Sequence, residues 1–310
     1  MNPKPWPCNN TRKTPADWRF GVTTCIASIA QSGNSMVLVS DSKLAFGDFS
    51  ADDAVVKNIP FVYPWIVLIS GDDISYATPI IERASRRCLS VPQDQEGWEI
   101  AEILHEEIVL ERQKLIEAAV LKKYGFSADS FLKKGKRLCS EALYSDLIIK
   151  VSQIEISLAF LLCGFSPNGF AQIWCIYANS SPQNYDIPGF WAIGSGANAA
   201  LSSLSFSVEH HHYGRHSELE NSIYHLLAAK FMSESARDVG KGTFTVILQA
   251  NGDMHHLYNK HVKAMRDVWL KEGAPQVSHG AIKFIGEKLV HLPREERIKQ
   301  SSAEKSEDPQ

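Results

Sequence analysis

The sequence predicts an α+β fold, with strands and helices in separate blocks. Strand signals cluster at 24–70, at 157–177 and again at 243–257, and helical periodicity fills the intervals between them. Short turns rich in Gly, Asn and Ser join neighbouring strands as hairpins. No strand–helix–strand alternation runs along the chain. The one Gly-x-Gly, Gly194-Ser195-Gly196, lacks a third spaced glycine and is weak as a phosphate loop.

The elements follow in order. Residues 1–22 hold several prolines and no period, and are expected to form a leader or arm. Thr24 to Ala30 reads as a strand, Gln31 to Ser35 as a turn, and Met36 to Asp41 as the return strand. Trp65 to Ser70 is a continuous apolar run of strand length that stops at Gly71, as expected for a strand covered on both faces. Ser75 to Cys88 and Trp98 to about Lys123 carry helical periodicity. Residues 124–152 are polar and mixed and predict a helical insertion. Ser157 to Cys163 and Phe170 to Tyr177 are strands joined through Ser166-Pro167-Asn168-Gly169. Trp191-Ala192-Ile193 leads to a small-residue helix, Ala197 to Leu204, for which Ser195 is a possible N-cap. Ser217 with Glu220 has the spacing of a capping box opening a helix to about Ala236. Thr243 to Leu248 and Met254 to Leu257 form a hairpin about Asn251-Gly252. The predicted organisation is a leader (1–22), one domain (23–290) and a disordered polar tail (291–310).

Composition excludes several function classes. The net charge of −3 gives no electrostatic footprint for nucleic acid. The basic run Lys133, Lys134, Lys136 and Arg137 reads as a solvated face. No apolar run reaches membrane-spanning length, and the N-terminus has no signal-peptide core, so a cytoplasmic protein without a membrane partner is expected. Six scattered cysteines without a Cys-x-x-Cys pair fit that compartment. His210-His211-His212 with His216 invites a metal reading, but adjacent histidines point in different directions, and a loop is expected instead. No metal and no cofactor are predicted.

The chemistry is carried by a constellation. Thr23-Thr24-Cys25, Ser40-Asp41-Ser42, Val56-Lys57-Asn58 and Ser70-Gly71-Asp72 follow one another, with sixteen residues from Asp41 to Lys57 and fourteen from Lys57 to Gly71. In the second half come Leu162-Cys163-Gly164-Phe165, Gly194-Ser195-Gly196, and Ala236-Arg237-Asp238 followed by Gly242. In order and spacing these residues resemble the proteasome β-subunits and their bacterial relatives, the HslV-type peptidases and the Anbu proteins. The resemblance covers about 23–258. It implies a four-layer αββα sandwich of the N-terminal-nucleophile (Ntn) hydrolases, a peptide or protein substrate, a homo-oligomer on the pattern of the family's rings, and a possible unfoldase partner. It also implies that Thr23 attacks the Val22–Thr23 peptide bond and is exposed as the first residue. Asp41, Lys57, Gly71, Ser195 and Asp238 are then its site partners.

The residue chemistry agrees with that assignment. A threonine hydroxyl needs a base, and a free α-amine on the same residue, with an unperturbed pKa of about 7.7–8.0, can serve through a water. A Lys57 ammonium nearby lowers that pKa, and Asp41 holds Lys57 in place. The Gly71 N–H is the oxyanion donor by resemblance. Ser195 and Asp238, also by resemblance, orient the amine and its water. Two positions depart from the family pattern: Val22 replaces the usual glycine before the nucleophile, and Lys241 replaces a serine three residues after Asp238. Bland roles stay open here. Thr23 and Thr24 can simply open a strand, Asp41–Lys57 can be a structural ion pair, and Gly71 can be a tight turn. A non-catalytic proteasome-like subunit that keeps its leader and a small-molecule Ntn amidohydrolase are the two alternatives.

Overall fold

In the computed structural model the described residues are 23–46, 49–51, 56–71, 74–90, 95–236 and 239–274. They form an α+β structure with two five-stranded antiparallel sheets. The predicted leader, Asp238 and the predicted tail lie outside the described residues. By internal contacts the chain divides into two units, Met1–Arg266 and Asp267–Gln310.

The first sheet contains β1 (Cys25–Ala30), β2 (Ser35–Asp41), β10 (Phe190–Ile193), β11 (Thr243–Gln249) and β12 (Met254–Leu257), in the order β10-β1-β2-β11-β12. The second contains β5 (Asn58–Pro60), β6 (Ile66–Gly71), β7 (Leu158–Phe165), β8 (Ala171–Tyr177) and β9 (Ser180–Asn184), in chain order. A small hairpin, β3 (Leu44–Phe46) with β4 (Phe49–Ala51), stands apart. Strand periodicity splits the residues between faces. Cys25, Ala27 and Ile29 of β1, Met36 and Leu38 of β2, and Val246 and Leu248 of β11 share one core with Leu68, Leu161, Cys163, Ile173 and Cys175 of the second sheet.

The second sheet's other face is equally apolar, which is why β6 and β7 read as unbroken hydrophobic runs. There Val67, Ile69, Phe160 and Leu162 pack on Ile80 and Ala84 of α1 (Ala77–Leu89) and on Ile100, Leu104 and Ile108 of α2 (Gly97–Ile116). On the first sheet, α5 (Ala197–His211) and α6 (Leu219–Ser233) lie against β1, and α6 also against β2. Each buried Leu or Ile contributes about 1.5–3 kcal/mol, so these apolar layers and not the polar site hold the sheets in place. Between α2 and β7 stand α3 (Ala128–Leu138) and α4 (Glu141–Gln153), packed with Ile116, Val120 and Leu121 around Phe131 in a core of their own. A last helix, α7 (Asn259–Val268), has no counterpart in the predicted elements.

Three local expectations need correction. Ser217 does not cap α6. Its Oγ accepts instead from the Gly214 N–H at 3.0 Å, and Glu218 is the N-cap without a side-chain bond. His210 and His211 belong to the last turn of α5, not to a loop; the helix ends at His212, whose φ of 51° breaks the hydrogen-bond ladder. Ser195 is not the N-cap of α5 either, because Gly196 holds that position.

Antiparallel pairing gathers the candidate residues at one end of the sheets. Cys25, which follows Thr23-Thr24, lies opposite both Ser40 and Ile193. Asp41 ends β2 opposite Thr243, the first residue of β11. Gly71 ends β6, Lys57 immediately precedes β5, and Gly194-Ser195 immediately follow β10.

Candidate active site

Asp41 is the hub of this end. It is fully buried at 0 % exposure. Its Oδ1 accepts from the Thr24 N–H at 2.8 Å and from Lys57 Nζ at 2.9 Å, and its Oδ2 accepts from the Lys43 N–H at 3.2 Å and the Gly240 N–H at 3.3 Å. Four donors on one carboxylate offset the large cost of burying a charge. The carboxylate is thereby fixed in direction, since each lone-pair site has its own donor.

Lys57 is 2 % exposed. Its ammonium also donates to Thr23 Oγ1 at 2.6 Å, the short separation of a charge-assisted bond. Its backbone is tied to the second sheet, where the Ile69 N–H donates to the Lys57 carbonyl at 3.0 Å. The ammonium therefore bridges the carboxylate on the first sheet and the threonine hydroxyl that precedes β1.

Thr23 is held at both backbone groups. Its N–H donates to Ser195 Oγ at 3.3 Å, and the Ser195 hydroxyl and Gly196 N–H each reach its carbonyl at 3.3 Å. Glycine at 194 and 196 is required for this approach. A Cβ on Gly194, where φ is +101°, would sit 2.1 Å from the Thr23 carbonyl oxygen, and one on Gly196 would sit 2.0 Å from Thr24 Oγ1. Gly71 is glycine for a packing reason as well. A Cβ there would lie 2.4 Å from the Ser157 carbonyl oxygen and 2.5 Å from a Leu158 methyl, on the adjoining chain at the start of β7.

The structure thus brings Thr23, Asp41, Lys57 and Ser195 into direct contact and places Gly71 at the end of the strand whose Ile69 carbonyl accepts from Cys25 Sγ at 3.4 Å. Asp238 lies outside the described residues. The Cys25 thiol is no rival nucleophile, because burial pushes its pKa well above the ordinary thiol value and keeps it protonated. Lys241 is exposed and its charge stays out of the site; its backbone carbonyl accepts from Arg266 at 3.0 Å. Surface grooves of about 410 Å³ along Phe61, Ile81 and Ser85 and of about 170 Å³ along Tyr63, Phe165 and Met254 have none of these site residues in their walls. Among the described residues no group of His, Cys, Asp or Glu is arranged to hold a metal, and no helix is long and apolar enough to cross a membrane.

Two residues of this end escaped sequence reasoning. Gly240 supplies a backbone N–H to Asp41, which no side-chain pattern announces. Lys230 of α6 is 0 % exposed, and its Nζ donates to Glu234 Oε1 at 2.7 Å and to the Gly240 carbonyl at 2.8 Å. A lysine inside the apolar run Leu226 to Met232, with a glutamate four residues on, is the signal that could have found it. No protein-family model matches the chain, and no curated protein matches it.

Proposed function

We propose that this chain is an N-terminal-nucleophile hydrolase, and within that class a self-processing threonine peptidase of the proteasome β-subunit type. The single observation that carries the reading is the buried relay Asp41–Lys57–Thr23, with Lys57 Nζ 2.9 Å from the carboxylate and 2.6 Å from the threonine Oγ1. The two facing sheets, with helices against their outer faces, support the four-layer αββα sandwich that belongs to this class.

In the proposed chemistry Thr23 Oγ1 attacks the Val22 carbonyl carbon, the C–N bond breaks, and the acyl group moves onto the oxygen as an ester. Water hydrolyses the ester and leaves a carboxylate on Val22 and a free α-amine on Thr23. The amine is then the base that takes the hydroxyl proton when a substrate amide is attacked, and the acyl-ester intermediate is hydrolysed in turn. Lys57 stabilises the developing alkoxide and favours the neutral amine. Ser195, at hydrogen-bond distance from the Thr23 nitrogen, orients it, and the Gly71 N–H and Asp238 complete the site on the family pattern. The substrate class is peptide or protein, the protein is an oligomer in the cytoplasm, and an unfoldase is a natural partner for a peptidase of this type.

The test is intact-mass analysis of wild type and Thr23→Ala. The wild type is expected to lose residues 1–22 and the variant to keep them. Wild-type protein that stays at full length under native conditions overturns the reading.

A further inference from the structure

A second buried cation lies behind the relay. Lys230 Nζ donates to the carbonyl of Gly240 at 2.8 Å, and the N–H of the same residue, on the other side of its Cα, donates to Asp41 Oδ2 at 3.3 Å. Lys230 is itself clamped. Glu234 Oε1 accepts a hydrogen bond from the Lys230 ammonium at 2.7 Å, and Arg266 holds Glu234 from the far side with bonds of 2.6 and 2.8 Å. Arg266 also donates to the Lys241 carbonyl at 3.0 Å and lies 4.2 Å over the Phe231 ring. The turn at 240–241 is therefore gripped from two directions by charges rooted in α6 and α7.

This arrangement costs much to bury. Burial lowers the Lys230 pKa, and Glu234 and the Asp41 charge oppose that shift. A fully buried ammonium held mainly by one carboxylate and one peptide carbonyl is poor value as a stabilising device, because an apolar pair of the same volume serves as well or better. What the charge does supply is direction. It anchors the Gly240 carbonyl and so limits rotation about the backbone of a residue with no side chain, which keeps the Gly240 N–H pointed at Asp41.

We infer that Lys230 is a positioning residue that fixes the Asp41 carboxylate through the backbone of Gly240, so that Oδ1 stays on Lys57 and the Thr24 N–H. The inference about rate rests on the proposed function; the inference about position does not. Loss of Lys230 frees the 240 turn and lets the carboxylate rotate away from Lys57. A misplacement of about 1 Å costs about a hundredfold in rate at such sites.

The experiment uses the full chain as wild type, Lys230→Met, and the double variant Lys230→Met/Glu234→Met. The double variant removes both buried charges together and protects against a failure to fold. Amide hydrogen exchange at Gly240 and Thr24 is read against global stability from urea unfolding. Rates of leader release, and kcat and KM of the released enzyme on a fluorogenic peptide, are measured in parallel. The expected result is faster exchange at Gly240 and Thr24 in folded variants, with leader release and kcat down about tenfold to a hundredfold and KM unchanged. Unchanged exchange at Gly240, or unchanged kcat, overturns the role of Lys230. If the wild type never releases its leader, the proposed function falls. The exchange data alone then decide the positioning role, for it if Gly240 loses protection and against it if not.

Discussion

At the scale of single residues, Asp41 and Lys57 set the terms. Each is buried and each is the other's counter-charge. Removing one therefore strands the other, at a cost of about 3–5 kcal/mol. Lys57→Met is expected to lower the free energy of unfolding in urea by that order and to abolish leader release. Asp41→Asn keeps the volume but offers an NH₂ where the carboxylate met only donors, and it is expected to do the same. Unfolding curves with an intact-mass readout check both. A variant that lost neither stability nor cleavage would show that the buried pair carries neither. Gly194→Ala tests the backbone beside them. The added methyl would overlap the Thr23 carbonyl at a positive φ, and a loss of about 1–3 kcal/mol is expected, with slowed leader release. Thermal unfolding of the variant measures it.

At the scale of elements, two interfaces make predictions. α1 and α2 are clasped by Glu107, buried at 4 % exposure, which accepts from Arg83 at 2.7 Å and from Arg87 at 2.9 Å. Glu107→Ala is expected to cost about 1.5–3 kcal/mol in urea unfolding, since both bonds are charge-assisted. The more exposed Arg87–Glu106 pair contributes little, and raising salt should scarcely move the midpoint through it. α5 and α6 meet at His211 and His225, with ring centroids 5.7 Å apart and Tyr213 against His225 at 4.9 Å. Burial, and then the His211 charge, lower the His225 pKa below its ordinary 6.5. The folded state therefore binds this proton less readily than the unfolded chain. The site has no effect on stability above pH 6.5, and stability falls as pH drops below that value. Unfolding midpoints measured from pH 7.5 down to 5.5 are expected to decline, and His225→Gln is expected to flatten the decline.

Element boundaries show what local sequence can and cannot say. The hairpin at Asn251-Gly252 was legible because Gly252 takes φ +92°, which the turn requires. The apolar runs of β6 and β7 were legible because both faces are covered. The short strands β5 and β9 were not, because three and five polar or mixed residues become strands only beside a neighbour that supplies their hydrogen bonds. The Ser217–Glu220 spacing failed as a cap for a related reason. The Ser217 hydroxyl had a closer partner in the preceding turn, and α6 began two residues after it.

At the scale of the whole described chain, the cores are separable. The one under α3 and α4 is built on Ile116, Val120, Leu121 and Phe131 and shares no residue with the core between the sheets. Phe131→Ala is expected to cost about 3–5 kcal/mol locally. Hydrogen exchange should loosen across 116–153 while the Gly240 and Thr24 amides keep their protection. Loss of protection at the site instead would show that this helical pair braces it.

The sequence by itself determined the α+β class, most strands and helices, and the order Thr23, Asp41, Lys57, Gly71, Ser195, because periodicity, turn chemistry and spacing are local properties of a chain. Only the tertiary structure decided that four of these five touch. It alone showed that Gly71 and Gly194 are glycines because backbone runs against them, and that Lys241 faces out while Lys230 faces in. The reason is geometric: the fold brings residues 16, 17 and 199 positions away from Asp41 into one carboxylate's hydrogen-bond shell, and no local pattern encodes which lysine a fold turns inward.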